Sequence, residues 1–109
     1  MLPNGDRAVV EIDKLAEYCL NPEHPRGRHK ARVFAAAVGF TSDHATELQQ
    51  ALVDAARTRP AVPTDQDDFG RRFVVDFPLR GPNGTAQVRS SWIVRVNEDF
   101  PRLTSCYVL

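Results

Sequence analysis

No excess of charge marks this chain: Lys and Arg together number 14, as do Asp and Glu, so the formal net charge is zero. A neutral protein is a poor nonspecific coat for nucleic acid, which needs a broad basic surface, although a local basic site stays open. Cysteine is nearly absent. Cys19 and Cys106 stand alone, with no CxxC and no short Cys/His spacing, so neither a disulfide framework nor a zinc knuckle is written here. Free buried thiols are the expected state of the two, with a disulfide between them as the alternative. Long apolar runs are missing too, which excludes a helical membrane span. The start, MLPNGDRAVVEI, has neither the basic beginning nor the apolar stretch of a signal peptide, and the expected location is the cytoplasm.

What is present suits one domain, residues 1–109, with an apolar fraction of 42% and a charged fraction of 26%. Residues 2–8 read as an extended lead-in. Asp13 is an N-cap candidate for a first helix carrying Leu15, Ala16, Cys19 and Leu20, ended by Asn21-Pro22 and His24-Pro25. Gly27 opens a second helix whose apolar positions are Val33, Phe34, Ala37 and Val38, and Gly39 is its stop. Thr41, Ser42 and Asp43 offer caps for a third, reaching about Arg57, with Ala45, Leu48, Leu52 and Ala55 at helical spacing. Residues 57–68, polar and proline-containing, read as one long loop.

The period then changes from helical to two. Phe73, Val75 and Phe77 share a face of one strand. Asn83-Gly84 predicts a tight hairpin with positive φ at its central positions. In the next strand, residues 85–96, Ala86, Val88, Ser90, Trp92, Val94 and Val96 alternate with Gln87, Arg89, Ser91, Ile93 and Arg95. A turn at residues 97–101 leads into RLTSCYVL. The fold class predicted is α+β: three N-terminal helices, then an antiparallel sheet of three strands or slightly more, one face covered by helices.

Chemistry concentrates in two places. From His24 to Arg32 the chain packs two His, three Arg and one Lys with no acid among them. Imidazoles titrate near neutrality and can transfer protons at working pH, while neighbouring cations can hold a phosphate. His29 is the sharpest candidate, flanked by Arg28 and Lys30 with Arg26 in the approach. It is placed near the margin of the apolar stripe, and a boundary histidine packed on the sheet is the competing reading. His24, in a Glu-His-Pro turn, reads as structural, and His44 as solvent-exposed. No two histidines have the i, i+4 placement that favours a metal, and neither metal nor cofactor is expected.

The second place is the sheet. Arg89 and Ser91 share the face opposite Val88 and Trp92. Thr104 and Tyr107 in the last strand cannot face the same way unless a bulge intervenes, and a solvent-facing polar sheet is the competing reading there. If substrate covers that face, Arg89 stabilises phosphate charge while Thr104 or Tyr107 orients it.

LPN at the start, NPEHPRGRHKARVF in the middle and GPNG…VRSSWIV…PRLTSCYVL at the end resemble an uncharacterised family of small bacterial domains, over nearly the whole chain. Such domains are similar in layout to the barnase, EndoU, colicin and RelE-like small ribonucleases. That resemblance implies a metal-free site on the sheet, built from His29 and Lys30, Arg89, Thr104 and Tyr107, with Arg26 and Arg28 as further RNA contacts. It also implies the toxin of a two-gene module, with RNA as substrate and a small antitoxin protein as partner. No glutamate stands at an obvious base position, unlike barnase-type members. The rival expectation is a noncatalytic interaction module, such as an antitoxin or immunity-type partner.

Overall fold

The computed structural model describes residues 1–109. Helices precede the sheet, as the change of period predicts, but the sheet has four strands in the order β1-β2-β3-β4, all antiparallel. These are β1 (Val62–Asp67), β2 (Gly70–Gly81), β3 (Gly84–Arg95) and β4 (Pro101–Val108). The strand missed is β1, inside the segment read as a loop. All six of its residues are exposed, so it leaves no apolar alternation to detect. As an edge it is blunted by Pro63, Asp65 and Asp67 and by a register shift between Pro63 and Gln66.

The lead-in also differs from expectation. Gly5–Arg7 form a 3-10 turn, after which Val9 lies parallel to the outer edge of β4. Its N–H donates to the Pro101 carbonyl at 2.9 Å, and its carbonyl accepts from the Leu103 N–H at 3.0 Å. The first helix, α1 (Ile12–Lys14), begins before Asp13, not after it, and widens into a π-helical turn over Leu15–Cys19. The Leu20 N–H reaches back to the Leu15 carbonyl at 2.8 Å to close it. The Ser42 hydroxyl bonds the Ala16 and Leu20 carbonyls of this irregular stretch, one answer to the backbone groups a wide turn releases.

Helix α2 (Arg28–Val38) follows Gly27 and stops at Gly39, whose φ of 78° is the left-handed stop expected there. Its buried line is Ala31, Phe34 and Val38; Val33 is 45% exposed and does not belong to it. Helix α3 (Ala45–Thr58) buries Ala45, Leu48, Leu52 and Ala55, the spacing read from the sequence. Thr41 caps the short 3-10 turn Ser42–His44 before it. His44 is not the free surface residue expected: its Nδ1 accepts from the Thr41 N–H at 3.0 Å and its ring stacks on Phe40.

The helices cover one sheet face. Phe73, Val75, Phe77 and Leu79 of β2 meet Val88, Trp92 and Val94 of β3, with Leu103 and Cys106 of β4. Ser90 is the one buried polar side chain in this layer: its hydroxyl donates to the Val75 carbonyl at 2.7 Å and accepts from the Trp92 indole at 2.8 Å. Val96 lies past the strand end and is exposed, contrary to its place in the predicted alternation.

The β2–β3 hairpin pairs Gly81 with Gly84, so its central residues are Pro82 and Asn83. Neither has positive φ; proline at the first central position sets the turn instead of Asn-Gly. Gly81 is needed for packing, because a Cβ there would lie 2.1 Å from the Val38 carbonyl oxygen of α2.

Candidate functional site

Lys30 is where the basic segment meets the sheet. From the first turn of α2 its ammonium donates to the Ser105 hydroxyl at 3.2 Å. The same nitrogen lies 5.5 Å from the Tyr107 ring centre and 5.7 Å from that of Tyr18. Two aromatic faces and one hydroxyl thus hold a half-buried ammonium with no carboxylate bound to it. Gly27 makes this placement possible: a Cβ on it would lie 2.2 Å from the Tyr18 carbonyl oxygen, so only glycine lets the π-turn and α2 approach.

A bulge in β4 supplies the other side. Ser91 pairs with Ser105 and Trp92 with Leu103, which leaves Thr104 unmatched. Leu103 and Cys106 therefore both face the core, and Ser105 and Tyr107 turn to the opposite face. This is the condition under which Thr104 and Tyr107 can share a site. The Thr104 hydroxyl donates to the Ser91 carbonyl at 3.1 Å. Thr104 also lines two cavities. One, of about 640 Å³, lies between the N-terminal segment and the β4 edge, with Glu11, Asp13, Lys14, Glu17, Tyr18 and His24. The other, of about 280 Å³, crosses the sheet's outer face past Ser105, Ser91, Val74 and Arg72 to Asp65.

Arg89 stands on that outer face, cross-strand from Tyr107 on one side and Asp76 on the other. Its guanidinium grips Asp76 through two bonds of 2.9 Å. Bonding and charge from Asp76, and then Tyr107, push the Arg89 pKa up, while Arg89 holds Asp76 below the ordinary carboxylate range against the upward effect of burial. Arg89 is therefore cationic at every working pH, but its fork is occupied by a carboxylate that a phosphate would have to displace.

His29 does not join these residues. It is exposed and makes no side-chain hydrogen bond. At about 100° per residue it projects from the side of α2 opposite Ala31, Phe34 and Val38. The expected position at the stripe margin depended on counting Val33 as buried. Arg26, Arg28 and Arg32 are exposed and have no ion-pair partner, so the strip of cations around His29 faces solvent unneutralised. His24 does what its turn suggested: its Nδ1 accepts from the Arg26 and Gly27 N–H groups at 3.0 and 3.1 Å, which leaves the proton on Nε2. Its ring packs edge-on against Tyr18 at 4.6 Å.

Sequence reasoning missed Tyr18, Asp76 and Ser105. Asp76 was within reach, since counting outward from a turn centred on Pro82-Asn83 pairs it with Arg89. Ser105 was not, because nothing local marks the bulge. No group of three or more His, Cys, Asp or Glu side chains is placed to hold a metal ion, and no helix is long and apolar enough to cross a membrane.

Across residues 1–109 the chain matches the family model described as a domain of unknown function (DUF6883). No curated protein matches it.

Proposed function

We propose that this chain, which belongs to the DUF6883 family along its whole length, is a metal-independent endoribonuclease whose phosphate site is built on Lys30. The observation that carries the reading is the position of the Lys30 ammonium, bonded to Ser105 and facing Tyr107 next to Arg89. A cation with no acid partner, fixed by the Ser105 hydroxyl and the Tyr107 ring on a sheet, suits the developing charge of a phosphodiester under attack by the neighbouring 2′-hydroxyl. Lys30 and Arg89 take the phosphate, and Thr104 and Tyr107 orient it. Arg26, Arg28 and Arg32 give the RNA backbone a path along the outside of α2. Glu11, Asp13 and Glu17 at the neighbouring cavity repel phosphate and keep the backbone on that path. His29 belongs to the path, and proton transfer passes from it to the Lys30–Tyr107 end of the site. The exposed cations also suit an acidic antitoxin, and a toxin acting in the cytoplasm is the setting this reading favours.

A second reading rests on the Arg89–Asp76 fork. An arginine already satisfied by a carboxylate is what a noncatalytic interaction module would contain. Purified protein added to total RNA with EDTA present separates the two. Wild type should cleave, Lys30→Ala should not, and His29→Ala should lose less than tenfold. Failure of the wild type on several RNA classes favours the interaction module; loss of cleavage in His29→Ala equal to that in Lys30→Ala returns proton transfer to His29.

A further inference from the structure

Behind the Lys30 cluster lie the two cysteines, both free and both wholly buried. Cys19 ends the π-turn, directly after Tyr18, and Cys106 sits between Ser105 and Tyr107 in β4. The three neighbours are the groups that Lys30 touches, so the two segments are clasped together on either side of the thiols. Cys19 lies beside Cys106, whose thiol and backbone N–H both act on its sulfur, and Lys30 ties together the residues that flank the two. The bonds from Cys106 lower the Cys19 pKa, against the effect of burial and with help from the charges of Lys30 and Lys14; donating the bond and burial together raise that of Cys106. One thiol is thereby the readier nucleophile and the other the resolving partner.

We propose that Cys19 and Cys106 are a site of reversible oxidation, at which a hydroperoxide joins them in an intramolecular disulfide that ties the π-turn to β4. The Cys19 thiolate attacks the peroxide oxygen, the O–O bond breaks, and a sulfenic acid forms as the peroxide leaves as water or alcohol. Cys106 sulfur then attacks Cys19 sulfur, its proton leaves with the hydroxyl as water, and the S–S bond is made. Both electrons lost by the dithiol reduce the peroxide. A small neutral oxidant is the fitting class because the pair is reached only when the π-turn loosens, and irregular helical turns are where such local opening is easiest. A cellular thiol restores the reduced pair by exchange. The bridge closes a loop that spans most of the chain, so it restricts the unfolded state and raises thermal stability. The inference does not depend on ribonuclease activity.

The test treats the whole native chain at neutral pH with a small excess of hydrogen peroxide and reads intact mass, peptide map and melting temperature. The expected product is monomeric, lighter by two hydrogens, with a Cys19–Cys106 cross-linked peptide. Its melting temperature is several degrees higher, and dithiothreitol reverses both changes. Cys106→Ser should gain oxygen on Cys19 with no stabilisation, and Cys19→Ser, which lacks the attacking thiol, should gain far less; if either fails to fold, the wild-type map decides. Oxygen addition without cross-linking, a disulfide between two chains, or a native dithiol inert under conditions that oxidise the unfolded chain would overturn the proposal.

Discussion

Replacing Ser90 by alanine should destabilise this domain far beyond the loss of one hydroxyl from a surface. Ser90 and Trp92 are both wholly buried, and Ser90 Oγ is the acceptor for the indole N–H and the donor to the Val75 carbonyl. Alanine leaves the indole N–H without a partner and without access to water, at a cost of ~1–3 kcal/mol. Loss of the hydroxyl–carbonyl bond adds ~0.5–1.5 kcal/mol. The sum, ~1.5–4.5 kcal/mol, is a large share of the ~5–15 kcal/mol that holds an ordinary domain folded. Urea unfolding followed by circular dichroism measures it, with the slope compared to confirm two-state behaviour. A cycle with Trp92→Phe isolates the cause. With phenylalanine at 92 there is no indole N–H to strand, so Ser90→Ala should then cost only ~0.5–1.5 kcal/mol. An Ser90→Ala cost under ~0.5 kcal/mol, or an equal cost in both backgrounds, would refute the account of a stranded donor.

Gly27→Ala should lower stability and, on the ribonuclease reading, cleavage as well, because its methyl group collides with the Tyr18 carbonyl that positions Tyr18 over Lys30; unfolding curves and the RNA assay check the two parts. Lys30→Met, which keeps the stem and removes the charge, should retain the fold while abolishing cleavage, and an active Lys30→Met protein would exclude Lys30 from the site. Asp76 should titrate below the ordinary carboxylate value of ~3.9, because Arg89 bonds its charged form. Since the folded value is the lower one, the stabilisation it supplies is present at neutral pH and is lost as pH falls from ~3.9 through that lowered value; carbon-detected NMR titration of Asp76 checks the shift, and a value at or above 3.9 contradicts it. Asp76→Asn frees the Arg89 fork and should tighten RNA binding at pH 7 while removing that acid dependence, which fluorescence anisotropy with a labelled oligonucleotide would reveal.

Periodicity alone determined the buried face of α3 and the inward faces of the two central strands. Leu48, Leu52 and Ala55 in α3, and Phe73, Val75 and Val88 in the strands, are buried where their spacing puts them, because burial of one face imprints its period on the chain. Gly39 was legible for an equally local reason, as a helix stop that needs positive φ. Where burial imposes no pattern, the sequence is silent: β1 pairs through its backbone with every side chain in water, and proline and acids disguise it as a loop. The candidate site divides the same way. GRHK announced a cationic segment, but which of its side chains reaches the sheet depends on the rotation of α2, and Val33, apolar yet exposed, misdirected that rotation by sequence alone. Tertiary packing turned Lys30 toward β4 and His29 toward solvent. The bulge at Thr104 is likewise a property of two strands in register, and it is what brings Ser105 and Tyr107 to the Lys30 ammonium and leaves Cys106 facing the core.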